Sequence, residues 1–119
     1  MIRCAAFALM ISAGFASGQT LTNQGTGAVL RGLDKVSGQT SDISLQAGQG
    51  ARFGRLTVAL RECRFPQGNP SGDAYASVQI VESGKEEAVF DGWMIASAPA
   101  LSAVDHARYD VWVIRCTTS

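Results

Sequence analysis

The sequence has no excess charge of either sign. Ten Lys and Arg balance ten Asp and Glu, and only 17% of residues are charged. Clustered positive charge, by which nucleic-acid binders displace counterions, is therefore missing. With 46% hydrophobic residues the composition also excludes a charge-rich disordered tail. No apolar run reaches the roughly 20 residues of a membrane span, so an integral membrane protein is not expected. Histidine is nearly absent: His106 stands alone, and no CxxC or HxxxH spacing accompanies it, a poor ligand set for a metal. Gly25-Thr26-Gly27 is too short for a phosphate loop and lacks the GKS/T or GxGxxG context. No cofactor is implied. At 119 residues the chain has room for one small domain.

The first eighteen residues, MIRCAAFALMISAGFASG, carry Arg3 near the start, an apolar run from Ala5 to Ala16, and small residues at Ala16, Ser17 and Gly18. This order matches a secretory signal peptide, with cleavage after Ala16 or Gly18. The competing reading is an amphipathic first helix or a retained anchor. Cys4 precedes the apolar run, so it is not a lipoprotein cysteine. Cleavage removes Arg3 and Cys4, leaving a net charge of −1 and two cysteines, Cys63 and Cys116. In an exported chain such a pair suggests one disulfide. Closing a loop of about fifty residues contributes roughly 4 kcal/mol in the chain-entropy model, a large share of the roughly 5–15 kcal/mol that holds a domain of this size.

Residues 19–119 are expected to form a single β-rich domain preceded by a polar, loose arm over 19–26. Ala28–Leu33, the turn Asp34–Gly38 and the alternating segment Asp42–Ala47 suggest a hairpin. Phe53–Cys63 alternates most clearly, with Leu56, Val58 and Leu60 on one face. Cys63 falls by parity on the opposite, arginine-bearing face. A core disulfide would need a bulge near Arg61 and Glu62, since one extra residue flips the face. The alternative is a bridge at the end of the sheet. A Pro- and Gly-rich loop over 66–72 precedes a strand over 74–81 with Ala74, Ala76, Val78 and Ile80 inward. After a turn at Ser83-Gly84-Lys85 comes a strand over 87–93. The last strand, Tyr109–Cys116, puts Trp112, Ile114 and Cys116 on one face and Tyr109, Val111 and Val113 on the other. Apolar residues on both faces suggest a central or doubly covered strand. Between these strands, Ser97–His106 predicts a short helix, with Ser97 as cap, Pro99 in the first turn and a stripe of Ala100, Leu101, Ala103 and Val104. The fold expected is a small antiparallel β-barrel or sandwich with one short helix between the last strands.

Residues 90–116 hold the densest chemistry. A hydrolase would take Ser97 or Ser102 as nucleophile, His106 as base and Asp105 or Asp110 as orienter, but no strained Gly-x-Ser-x-Gly elbow is present. His106 also suits the C-terminal end of the short helix, bonding its last carbonyls, or a pH-sensing contact. Trp93 and Trp112 are most simply core or half-core residues; the functional reading is an aromatic face for a protein or a sugar. Met94 fills core space by default. Arg52, Arg55, Arg61 and Arg64 form a basic cluster whose functional reading is contact with an anion or lipid headgroup, but with Glu62 nearby a solvated face is the simpler reading.

The segments LRGLDKVSG (Leu30–Gly38), FGRLTVALREC (Phe53–Cys63) and FDGWMIASAPALSAVDHARYDVWVIRC (Phe90–Cys116) resemble domain of unknown function 2155, an uncharacterised family of small exported alphaproteobacterial proteins. The last segment is the most specific, through Gly92-Trp93-Met94, Pro99-Ala100-Leu101-Ser102, His106 and Tyr109-Asp110-Val111-Trp112. Where the family pattern has Ser after Ser97 and Pro after His106, this chain has Ala98 and Ala107. The resemblance implies an exported, periplasmic protein and places both cysteines where the family has them. It implies no activity, substrate or cofactor.

The function expected is therefore a non-enzymatic binding module of the cell envelope, with an envelope protein or cell-wall component as partner. Its contact residues would be Trp93, Met94, Ser97, Leu101, Ser102, His106, Tyr109, Asp110 and Trp112. A small Ser/His hydrolase and a purely structural or inhibitor-like domain are the alternatives. The sequence does not specify an oligomeric state.

Overall fold

The computed structural model describes residues 21–119; the signal peptide expected over residues 1–18 lies outside them. Eight strands follow in order: β1 (Thr22–Gln24), β2 (Gly27–Asp34), β3 (Thr40–Gln46), β4 (Gly50–Phe53), β5 (Leu56–Pro66), β6 (Tyr75–Glu82), β7 (Ala88–Ile95) and β8 (Tyr109–Thr117). They form two antiparallel sheets and no closed barrel. One runs β1-β5-β6-β7, with β4 also pairing β5; the other runs β3-β2-β8. Leu30, Ile43, Leu45, Val111 and Val113 from the second sheet meet Leu56, Val58, Leu60, Val78, Ile80 and Met94 from the first in one buried core. The inward faces expected for the segments 56–60 and 74–80 are observed.

Two expected elements change. The segment taken as one strand from Phe53 breaks at Gly54, whose φ of +59° turns the chain from β4 into β5. A Cβ there would sit 2.5 Å from the Tyr109 hydroxyl, so the turn needs glycine both for its left-handed backbone and for space. The arm over 19–26 is not loose where it is described. Thr22, Asn23 and Gln24 pair with Pro66, Phe65 and Arg64 of β5. Arg64 Nε donates to Thr22 Oγ1 at 2.7 Å, so polar residues that suggested an arm serve as ladder and rim partners.

Cys63 and Cys116 form a disulfide, with Cα atoms 5.6 Å apart. Both are buried. Each reaches the core because its strand carries an extra residue. In β5, Leu60 opposes Val78 and Glu62 opposes Ser77, so Arg61 is the additional residue. This is the bulge that a core bridge requires. In β8, Val113 opposes Leu30 and Arg115 opposes Val29, so Ile114 is additional. Cys116 therefore shares the inward face of Tyr109, Val111 and Val113, not that of Trp112 and Ile114. Gly25 packs against the bridge: its amide donates to the Cys63 carbonyl at 2.7 Å, and a Cβ would lie 3.2 Å from that of Cys116.

The strand β8 is not central. It pairs only with β2 and forms the edge of the three-stranded sheet. Its outward Trp112 and Ile114 are half-buried, and the connection from β7 runs beside Trp112. The helix expected over 97–106 is only one 3-10 turn, Pro99–Ser102. Ala98 occupies the capping position and makes no side-chain cap bond. Two turns of apolar stripe never form because Ala100, Leu101 and Ala103 point to solvent and only Val104 reaches the core.

Candidate functional site

The connection between β7 and β8 is held at three points by side chains. At its start, Asp73 accepts three hydrogen bonds: from the Ser97 hydroxyl at 2.6 Å, the Ser97 amide at 2.9 Å and the Ala74 amide at 2.9 Å. Burial pushes the Asp73 carboxyl up, but these bonds outweigh it and leave it below its ordinary value. In the middle, the Ser102 hydroxyl donates to the Trp93 carbonyl at 2.6 Å, fastening the 3-10 turn to β7. At the end, His106 Nδ1 accepts the amides of Arg108 at 2.9 Å and Tyr109 at 3.2 Å. The ring proton therefore sits on Nε2, which donates to Glu82 Oε2 at 3.1 Å. Lys35 Nζ donates to the His106 carbonyl. Beside it, the hydrogen bond from Arg108 holds the Asp34 carboxyl below its ordinary value.

These bonds answer the hydrolase arrangement. Ser97 is bonded to Asp73 and Ser102 to the backbone of Trp93, while both nitrogens of His106 have other partners. Neither hydroxyl is hydrogen-bonded to the imidazole. Nor does His106 end a helix; it gathers the backbone at the entrance to β8.

The expected contact residues separate by burial. Met94 and Tyr109 belong to the core at 2% and 3% exposure. The Tyr109 ring meets Phe53 edge-on with centroids 5.6 Å apart, and its hydroxyl accepts the Arg55 amide at 3.3 Å. Trp93 is 47% exposed and Leu101 78% exposed. Strand alternation puts Trp93 on the outer face of the larger sheet and Trp112 on the outer face of the smaller one. The two tryptophans thus do not form one aromatic surface. Instead Trp112 meets the 3-10 turn, and with Pro99, Ala100, Ala103 and Asp110 it lines a groove of about 340 Å³.

A larger open cavity of about 560 Å³ lies between the β6–β7 turn and Asp105-His106, with Glu82, Glu86 and Glu87 among its lining. No group of His, Cys, Asp and Glu has metal-binding geometry among the described residues. The arginine cluster is dispersed: Arg61 pairs with Asp91 at 2.8 Å, Arg64 with Glu62 at 3.1 Å, Arg55 with Glu82 at 3.8 Å, and Arg52 donates to Ser83. Sequence reasoning missed Asp73 and Glu82. Each meets its partner across 24 residues, and no local spacing signals either pairing. No helix among the described residues is long and apolar enough to cross a membrane.

No solved structure matches the chain. An uncharacterized protein of Rickettsia prowazekii (strain Madrid E), RP359, is 29% identical over 87 residues, covering 71% of this chain and 56% of the relative. The chain thus spans little more than half the length of that curated relative. The family described as "Uncharacterized protein conserved in bacteria (DUF2155)" matches residues 28–116, from β2 through the second cysteine. The match takes in both bulges, the disulfide and the whole β7–β8 connection, and the chain belongs to that family.

Proposed function

We propose that this protein is an exported, periplasmic interaction module, a small β-sandwich that docks a partner protein of the cell envelope without catalysing a reaction. The docking surface is the β7–β8 connection. One observation carries the reading: Leu101, at 78% exposure, projects from a turn flanked by the hydrogen bonds of Ser97 to Asp73 and of Ser102 to the Trp93 carbonyl. An exposed leucine by itself needs no explanation. One held between two side-chain anchors, beside an apolar groove, is a preorganised contact whose ordering cost is already met in the free protein. The export reading is supported by the first eighteen residues and the disulfide.

The test is isolation of the full chain with its bound proteins from envelope extracts, wild type against Leu101→Asp. Leu101 lies outside the core, so the substitution is expected to change stability by no more than about 0.5 kcal/mol. Wild type should retain one recurrent envelope protein that the variant loses. Equal retention by both, with equal melting temperatures, contradicts the reading. A fluorophosphonate probe tests the hydrolase alternative: labelling of wild type that disappears in Ser97→Ala or Ser102→Ala would support catalysis.

A further inference from the structure

The groove beside β8 has an uneven chemistry. Pro99, Ala100 and Ala103 give apolar walls, the Trp112 ring gives an aromatic wall, and Asp110 supplies the one charged side chain. Asp110 Oδ1 accepts the amide of Val111 at 2.9 Å. No hydrogen bond or ion pair within the described residues engages Oδ2. Among the described residues five carboxylates have cationic partners: Asp34 with Arg108, Asp42 with Arg31, Glu62 with Arg64, Glu82 with Arg55 and Asp91 with Arg61; Asp73, Glu86, Glu87 and Asp105 share with Asp110 the lack of one, but of these Asp110 alone lines this groove. Arg31, which opposes Trp112 across the sheet, is committed to Asp42 at 2.8 Å. Asp110 is half-buried against an apolar groove and has no cation of its own.

We propose that this groove receives a single basic side chain, Arg or Lys, from an exposed segment of the partner protein. The inference rests on the interaction-module reading and names the chemistry of its contact. An aliphatic stem would lie along Pro99, Ala100 and Ala103, as long basic side chains cover apolar surface while keeping the charge at the end. The cationic head would meet the face of Trp112 and the free oxygen of Asp110, combining a cation–π contact with a charge-assisted hydrogen bond. The volume of about 340 Å³ lies at the small end of the roughly 300–1,000 Å³ of small-molecule sites, which suits one side chain. The self-bond from Asp110 to the Val111 amide also covers part of the β8 edge, which favours a side-chain anchor over an added strand.

The test is an NMR titration of the full folded chain with N-acetyl-arginine methylamide, N-acetyl-lysine methylamide and the neutral citrulline analogue. The two cations should shift the Trp112 indole and the Asp110 and Ala103 amides. Citrulline should bind at least fivefold more weakly. Asp110→Asn should weaken the cations by at least fivefold, and Trp93→Ala, on the other sheet, should leave them unchanged. Equal shifts with citrulline, or shifts that avoid the groove, overturn the proposal. Isolation of the partner separates the two readings: if Asp110→Asn retains an envelope protein that Leu101→Asp loses, docking stands and the basic anchor fails. Sedimentation provides the remaining outcome. A dimer of wild type that Asp110→Asn dissociates would make a second copy of this chain the occupant and overturn the assignment to a different partner.

Discussion

Asp73 shows how much of this molecule's order rests on single polar contacts. Its carboxylate joins the loop before β6 to the end of β7 through three hydrogen bonds. Its folded pKa lies below the ordinary value, so the contact stabilises the protein above the unfolded pKa of about 3.9 and is lost as pH falls through the folded value. Thermal melts of wild type and Asp73→Ala should therefore differ at pH 7, with the difference shrinking as pH falls below about 4 and closing only below the folded value. A gap that persists in strong acid would show that the lost contacts are not those of the charged carboxylate. Gly25 gives a steric counterpart. A Cβ would lie 2.7 Å from the Thr117 carbonyl oxygen and 3.2 Å from Cys116 Cβ, both on rigid structure. Gly25→Ala should lower stability by about 1–3 kcal/mol in urea denaturation. Neither residue stands out in the sequence. Asp73 follows a Gly-rich loop and resembles any turn aspartate, and Gly25 resembles a flexible arm, because the partner of each is distant along the chain.

Strand alternation was the most legible feature. Leu56, Val58 and Leu60, and likewise Ala74, Ala76, Val78 and Ile80, declare their inward faces because a two-residue period has only one face to bury. What alternation cannot reveal is a change of phase. Cys63 and Glu62 sat close enough to the clear part of β5 for the bulge to be inferred from a conditional: a core bridge demands it. In β8, apolar residues occupied both faces, so the phase change at Ile114 left no trace. The connection over 97–106 was misread for a related reason. Pro99 and the apolar positions after it satisfy helical spacing, but nothing covers Ala100, Leu101 and Ala103, and an isolated short helix gains too little from its backbone bonds alone to persist. The bond from Ser102 to the Trp93 carbonyl is what sets the turn instead. Ser102→Ala should cost about 1 kcal/mol and increase amide exchange over residues 99–103, while the exchange of β5 and β6 stays as in wild type. Uniform acceleration across the molecule would argue against this local role.

At the scale of the whole molecule, two sheets share one core and the Cys63–Cys116 bridge joins β5 of one to β8 of the other. The bridge spans 53 residues, and removing it as the Cys63→Ala/Cys116→Ala double variant should cost about 2–5 kcal/mol. Urea denaturation of oxidised wild type against that variant measures it; a difference below about 1 kcal/mol would mean that packing between the sheets suffices alone. Family membership and the mainly β fold were both accessible from the sequence. The division of the two tryptophans between opposite outer faces was not, since it depends on how the sheets stack. That division narrows the proposed docking surface from a broad aromatic region to the β7–β8 connection and its groove.

The most direct test is photo-crosslinking in living cells from a photoreactive residue placed at Leu101, compared with one at Ser44 on the exposed face of β3. The account predicts one recurrent envelope-protein adduct from position 101 and none of it from position 44. The same adducts from both positions, or none from 101 in a chain confirmed to be folded and exported, would contradict the docking surface.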